Sequence, residues 1–192
     1  MPRIGMEPIR RAALVDATIA EVGYKGTLDV TVAQIARRAG VSSALAHHYF
    51  GGKAQLFSAA MRTILKRYGD SVRRAQAAAD TPHERLAAII NASFAAENFH
   101  RDAVAAWMNF YVQARVSDEV RRLLDIYQGR LRSNLQHDLR LIIGDRAPPV
   151  ADTIAALIDG IYIRAALTTK VIDGAEAAQR TLSTLNLLLE KS

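Results

Sequence analysis

The sequence predicts an all-α protein. Half of its 192 residues are hydrophobic, alanine is abundant and β-branched runs are few, a composition that favours helices. No segment shows the alternation of apolar and polar residues that is typical of a strand, and the sequence has no internal repeat. A chain of this length can bury a sizeable core in one or two domains. We expect a small N-terminal domain of three helices and a larger helical C-terminal domain.

The first helix is predicted from about Glu7 to Val22. Its apolar face consists of Ile9, Ala13, Ala17 and Ala20. Pro8 suits the first turn, where a backbone N–H has no partner within the helix. Gly23 is expected to end the helix, and residues 24–30 form a short connector.

Residues 31–57, TVAQIARRAGVSSALAHHYFGGKAQLF, predict two short helices joined by a tight turn. The apolar stripe of the first helix is Val32, Ile35, Ala36 and Ala39. Thr31 and Gln34 have the spacing of a capping box. Gly40 allows the first helix to stop, and Ser42 can cap the second. This is a helix-turn-helix arrangement, whose second helix enters the major groove of DNA.

The positive charge of the chain is concentrated around this motif. Residues 1–67 carry ten Lys/Arg and four Asp/Glu, an excess that equals the formal net charge of +6. The remaining residues carry fifteen of each and are neutral. A basic surface patch has the same appearance, but together with the motif the charge favours a module that neutralises DNA phosphates.

Other classes of protein find no support in the sequence. There are no cysteines, so disulfides and thiolate metal sites are excluded. We find no phosphate-binding glycine loop, no His-Glu-x-x-His and no nucleophile elbow, and we predict no catalytic residue, no metal and no cofactor. The start, MPRIGMEPIRR, lacks the apolar core of a secretory signal, and no apolar run approaches the roughly 20 residues of a membrane span. We predict a cytoplasmic protein without a membrane partner.

The rest of the chain is also predicted to be helical. A fourth helix begins near Lys53 and continues to about Ala75. We place the domain break at QAAADTP, so that residues 1–55 form the DNA-binding domain, a linking helix extends it to about residue 75, and residues 76–192 form the second domain. Further helices are predicted at Glu84–Glu97, Asp102–Val116, Asp118–Ile143, Val150 to about Thr169, and after Gly174. Gly144 and Pro148–Pro149 are expected to stop the long one.

The helix that follows Pro149 is almost entirely apolar. Between Thr153 and Leu167 only Asp159 and Arg164 are charged. Such a helix is buried on several sides, either in the centre of the core or against a copy of itself. Because a helix-turn-helix protein usually engages two half-sites as a dimer, we favour a homodimer formed by the last two helices on a palindromic double-stranded operator.

The residues of the motif resemble those of the tetracycline-repressor (TetR) family. The segments that carry the resemblance are TVAQIARRAGVS, the HHYF element, and the Lys53 and Leu56-Phe57 positions that follow. The start MPRIGMEPIRR and the phrase AALIDGIYIRAAL are similar to one branch, the choline-responsive repressors of the glycine-betaine synthesis genes. The resemblance implies a dimeric, all-helical transcriptional repressor with a ligand-binding and dimerisation domain, and choline as the effector. A repressor that responds to another ligand, such as a lipophilic cation or drug, is the alternative, and an architectural DNA binder is a third possibility.

The candidate DNA contacts lie on and around the second helix of the motif. They are Thr31, Arg37, Arg38, Ser42, Ser43, Ala44, His47, His48, Tyr49 and Lys53. If Leu45 faces the small core, Ser43, Ala44 and His47 face outward, where a hydroxyl can bond base edges or phosphate and a methyl can contact thymine. Thr31 can offer its N–H and hydroxyl to a phosphate. Arg37 and Arg38 either reach the DNA backbone or are solvated.

Two features set the DNA contacts apart from the common pattern of the family. Ala44 stands where many members have glycine, and His47 where many have tyrosine.

The resemblance also implies that Lys53 binds phosphate. A cation in the first turn of a helix opposes the macrodipole at a cost of ~0.3–1 kcal/mol, and a docked phosphate reverses this conflict.

The candidate ligand contacts are aromatic residues and one carboxylate, namely Trp107, Phe110, Tyr111, Asp159 and Tyr162. Trp107 lies three residues before Phe110 and four before Tyr111, so its ring can share a helix face with Tyr111 or with Phe110. They either pack in the core or form a cage for a quaternary ammonium group, which aromatic faces attract. Asp159 either strengthens such a cage or pairs with Arg164 at the dimer interface. Trp107 ranks first among the five.

Overall fold

The computed structural model describes residues 5–170 and 173–190, and within these ranges the chain is helical without a strand. The helices are α1 (Met6–Lys25), α2 (Val32–Arg38), α3 (Ser43–Phe50), α4 (Lys53–Ala77), α5 (Pro82–Phe94), α6 (Arg101–Gln113), α7 (Asp118–Ile143), α8 (Ala147–Leu167) and α9 (Gly174–Glu190), with a 3₁₀ turn at Gly144–Arg146. The prediction of an all-α fold is confirmed. The first four residues of MPRIGMEPIRR lie outside the described residues.

The end of α1 differs from the prediction. The helix continues through Gly23 to Lys25, and Gly26 ends it in the left-handed conformation at φ 68°, with its N–H donating to Val22 O at 2.8 Å. Gly23 is a glycine for another reason. A Cβ at this position would lie 2.4 Å from the Cβ of Asp102 in α6. The prediction that Gly23 ends the helix was therefore wrong, because its lack of a side chain serves close packing of α1 on α6.

The two adjacent prolines also have a different role from the predicted one. The long helix α7 ends as expected at Gly144, which has φ 57°. Pro148 and Pro149 lie in the first turn of α8, which begins at Ala147. Prolines are tolerated there because the first N–H groups of a helix have no intrahelical acceptor. They begin α8 rather than separating it from α7.

The contacts divide the chain into two compact units. The first consists of Met1–Ile64 with Arg101–Arg121, and the second of Leu65–His100 with Arg122–Ser192, each as far as described. In the first unit α1 packs against α2 and α6, and α2 against α3. In the second unit α9 packs against α5 and α8. The predicted functional limits at residues 55, 75 and 76 stay predictions.

Each unit has its own apolar core. Fully buried side chains include Leu14, Ile35, Leu56 and Phe110 in the first unit, and Leu86, Ile89, Leu135, Leu139, Ile154 and Ile158 in the second. The core of the second unit also contains the carboxylate of Asp138, which accepts the Nε–H of Arg85 at 2.7 Å. Among the described residues, none of the helices combines the length and apolarity needed to cross a membrane.

Candidate DNA interface and ligand site

Side-chain caps fix the two helices of the motif as the sequence predicts. The Thr31 hydroxyl accepts the N–H of Gln34 at 3.2 Å, and Gln34 Oε1 accepts the N–H of Thr31 at 2.8 Å. Gly40 occupies the left-handed region at φ 67°, and Ser42 Oγ accepts the N–H of Leu45 at 3.2 Å. The capping box and the turn are therefore confirmed. Because the Thr31 N–H already donates to Gln34, a phosphate contact by Thr31 would use its hydroxyl proton.

The helix α3 exposes most of the predicted reading residues. Ala44, His47 and His48 are exposed, while Ser43 and Tyr49 are half-buried. The buried residue of α3 is Ala46, whereas Leu45 is only half-buried. Ala46 is therefore the most deeply buried residue of α3, and the expectation that the half-buried Leu45 faces the small core stays a prediction.

The ring of His47 has a defined hydrogen bond. Its Nδ1 lies 3.1 Å from the carbonyl oxygen of Gly51. A carbonyl only accepts hydrogen bonds, so Nδ1 carries the proton and Nε2 is an acceptor in the neutral ring. An exposed acceptor on a reading helix suits the amino groups of adenine or cytosine in the major groove.

The basic residues near the motif fall into two groups. Arg38 donates its Nε–H to Glu21 Oε1 at 2.6 Å, which ties α2 to α1, and Lys25 donates to Gln34 Oε1 at 3.2 Å. Arg37 and Lys53 are exposed, and the described part of the chain holds no ion pair for either. Lys53 is the first residue of α4. The geometry therefore favours Arg37 and Lys53 over Arg38 as phosphate contacts, because the Nε–H of Arg38 is engaged by Glu21.

This division predicts opposite effects for two neighbouring arginines. Arg37→Ala should weaken binding to all DNA sequences and reduce the slope of log affinity against log salt by about 1, with unfolding unchanged. Arg38→Ala should instead destabilise the protein by about 1–3 kcal/mol, because the Glu21 carboxylate, 12% exposed, loses its partner. Filter binding over a salt range and urea unfolding of both variants measure these quantities. A loss of salt slope in Arg38→Ala without destabilisation would contradict the assignment.

The predicted ligand residues of α6 lie in the first unit. The ring centroid of Trp107 is 5.5 Å from that of Phe110 and 6.1 Å from that of Tyr111, so Trp107 contacts each of the two rings that its spacing indicated. Trp107 is 5% exposed and Phe110 is fully buried, while Tyr111 is half-buried. This burial favours the interpretation that Trp107 and Phe110 pack in the core.

Asp159 and Tyr162 lie in the second unit and have partners that the sequence did not reveal. Tyr127 of α7 donates its hydroxyl to Asp159 Oδ1 at 3.1 Å. The ring of Tyr68 from α4 lies edge-on against Tyr127, with centroids 5.6 Å apart. Tyr162 donates its hydroxyl to Ser93 O at 2.5 Å. We call Tyr68, Tyr127, Asp159 and Tyr162 the tyrosine–aspartate cluster.

Electrostatics link the members of this cluster. Burial raises the pKa of Tyr68 to about 12; a hydrogen bond with Ser93 acts in the opposite direction, and the negative charge of Asp159 raises the pKa further. Burial also raises the pKa of Tyr162 well above its ordinary value, with a contribution from Asp159. The carboxylate thus acts on two phenols and hydrogen-bonds a third. At neutral pH Tyr68 and Tyr162 therefore keep their protons and are uncharged.

Further rings adjoin the cluster. The ring centroid of Phe99 lies 4.9 Å from that of Tyr162 and 5.3 Å from that of Phe94, and both pairs of rings are edge-on. Tyr68 and Tyr127 were missed in the sequence because they lie on other helices, far in sequence from Asp159. Their only signal was an inward-facing position at helical spacing.

A capped helix-turn-helix with a basic surface and a separate helical body defines a DNA-binding regulator. Residues 14–60 match the family of bacterial regulatory proteins of the tetR type, and residues 82–190 match the C-terminal part of BetI-type transcriptional repressors. The chain therefore belongs to the TetR family, in its BetI-type branch. This confirms the resemblance seen in the sequence and a role in transcriptional regulation rather than in catalysis.

Individual relatives agree with this assignment. The HTH-type transcriptional regulator BetI of Brucella suis (strain ATCC 23445 / NCTC 10510) is 53% identical over 178 residues, covering 92% of this chain and 90% of the relative. A transcriptional regulator of Pseudomonas aeruginosa PAO1 has a similar solved structure, with a TM-score of 0.82, 26% identity and coverage of 98% and 94% of the two chains. A regulator of Saccharomonospora viridis solved in complex with choline has a TM-score of 0.82 at 20% identity, covering 97% and 98%.

Proposed function

We propose that this chain is a cytoplasmic, homodimeric repressor of glycine-betaine synthesis genes whose hold on a palindromic operator is modulated by choline. The helix α3 reads the operator, and Lys53 and Arg37 contact its phosphates. Choline binds at the tyrosine–aspartate cluster. For choline to act, it must bind the operator-competent and the released states with different affinity.

The observation that carries the choline proposal is the tyrosine–aspartate cluster itself. A quaternary ammonium group has no N–H to donate, so it is recognised by aromatic faces and by negative charge. The cluster supplies both, since Asp159 is hydrogen-bonded to Tyr127 and influences Tyr68 and Tyr162. The α6 set of Trp107, Phe110 and Tyr111 offers rings, and it stays a second candidate site.

The names of the relatives support the same effector. The curated relatives are regulators named BetI, and one structural neighbour was solved with choline. At 20% identity that neighbour supports the fold of this chain, and its ligand suggests which compound to test first.

The proposal of a homodimer rests on the surface of α8. Ala156 and Leu167 are exposed, and Gly160 and Ile163 between them are half-buried. In the single chain, one apolar face of α8 is therefore exposed to solvent. Leu167 is 71% exposed and Leu187 of α9 is 61% exposed. A symmetric partner would cover this surface and place two copies of α3 on two half-sites.

The test is an operator titration with and without choline. The operator is first isolated by selection from random duplexes, and its affinity is then measured at rising choline concentrations. We expect choline to change the affinity, and the uncharged isostere 3,3-dimethylbutan-1-ol to have no effect. A response to a lipophilic cationic dye but not to choline would favour the alternative effector class, and no response to either would overturn the proposed regulation.

A further inference from the structure

The side chain of Arg11 in α1 closes over the end of α3. Its Nη1 donates to the carbonyl oxygen of Tyr49 at 2.7 Å. Its guanidinium carbon lies 4.6 Å from the ring centroid of Phe50 and 5.8 Å from that of Tyr49. Glu7, one turn earlier in α1, lies 3.6 Å from the same Nη1. One guanidinium thus contacts a backbone carbonyl and two aromatic rings of the last turn of α3.

The position of these contacts matters because α3 is short. The helix has eight residues, and its last carbonyl groups find no N–H donor within the helix. The N–H of Gly51 satisfies His47 O at 2.7 Å, and Arg11 satisfies Tyr49 O. A cation at this end also complements the macrodipole of α3. Arg11 therefore caps α3 with a side chain from another helix.

We propose that Arg11 is a positioning residue for DNA reading: it fixes the C-terminal end of α3 against α1 and so sets the orientation of the exposed residues Ala44 and His47. The proposal rests on the proposed reading of the operator by α3. Stacking on Phe50 needs a planar cation, which arginine provides and lysine does not. A direct phosphate contact is the competing role for an arginine on this basic surface, and the two roles give different results.

The test compares Arg11→Ala with Arg10→Ala, an exposed arginine one position earlier in α1. Affinities for the selected operator and for a random duplex of equal length are measured over a salt range. We expect Arg11→Ala to lower operator affinity by about tenfold, with binding to the random duplex and the salt slope unchanged. Arg10→Ala should leave the ratio of operator to random-duplex affinity at its original value. An equal loss on both duplexes, with a salt slope smaller by about 1, would show a phosphate contact and overturn the proposal.

Further variants keep the test decisive if Arg11→Ala does not fold. Arg11→Lys retains the charge, and Phe50→Leu retains apolar volume without the ring. Each should lower the ratio of operator to random-duplex affinity, whereas a ratio equal to the original in both would overturn the proposal.

In a double-mutant cycle, Phe50→Leu should add little to Arg11→Lys, because both remove the same stack. Amide exchange of Gly51 should accelerate in Arg11→Lys and stay constant in Arg10→Ala. If the selection finds no operator at all, the proposed repressor function fails. The exchange rate of the Gly51 amide then decides by itself whether Arg11 fixes the end of α3.

Discussion

Replacing Asp159 with asparagine is expected to lower the affinity for choline by about 30- to 150-fold. A unit charge a few ångströms from a bound cation contributes roughly 2–3 kcal/mol at the effective dielectric constant of a protein, and this corresponds to that factor. Asparagine retains an oxygen that can accept the hydroxyl of Tyr127, which Asp159 Oδ1 accepts at 3.1 Å. The substitution therefore removes the charge and keeps the shape of the site.

Calorimetry with choline measures this effect, and the same helix offers a matched control. Asp152 is an exposed carboxylate of α8 that pairs with Arg132 at 2.5 Å. Asp152→Asn should bind choline with its original affinity. The uncharged isostere should bind Asp159→Asn and the unchanged protein equally, because neither complex gains from the carboxylate. If Asp159→Asn retains full affinity, the tyrosine–aspartate cluster is not the site, and Trp107→Leu then tests the α6 set.

The helix-turn-helix could be predicted from sequence because its signals are local. The capping box of Thr31 and Gln34, the left-handed Gly40 and the Ser42 cap all act within a few residues. Helix period and caps can be recognised from a few neighbouring residues, without knowledge of tertiary contacts. The local pattern does not show which residue of α3 is most deeply buried: Leu45 was expected to face the core, and Ala46 is the buried one.

The ligand cluster could be predicted only in part because its members come from different helices. Asp159 and Tyr162 share α8, and an ionisable residue in an apolar helix is a sequence signal. Tyr68 and Tyr127 reach the same carboxylate from α4 and α7, more than thirty residues away in the case of Tyr127. Such proximity depends on helix packing, which no local pattern encodes. The same holds for Arg11, which meets Tyr49 across 38 positions of sequence.

Gly23 shows how one residue type can carry two signals. A glycine near the end of a helical pattern predicts a C-terminal cap, and Gly26 has that role. Gly23, three positions earlier, is instead buried in α1 at a close approach to α6. Sequence alone does not distinguish the two, since the difference lies in what the missing Cβ would contact.

The second large prediction is that Gly23→Ala destabilises the first unit by about 1–3 kcal/mol. The alanine Cβ would lie 2.4, 2.5 and 2.6 Å from Cβ, Cα and Cγ of Asp102. A side-chain rotation of Asp102 cannot relieve this clash, because its Cα belongs to the backbone. Alanine in a helix interior normally gains about 1 kcal/mol over glycine, so a loss would mean that α1 and α6 are forced apart.

Urea unfolding followed by the fluorescence of Trp107, the single tryptophan, reports on this unit. Gly129→Ala, a helical glycine of the second unit where a Cβ meets nothing within 4 Å, is the control; it should not destabilise the protein when the unfolding of both variants is also followed by circular dichroism. Equal stability of the two variants would show that α6 does not pack on α1 at this distance.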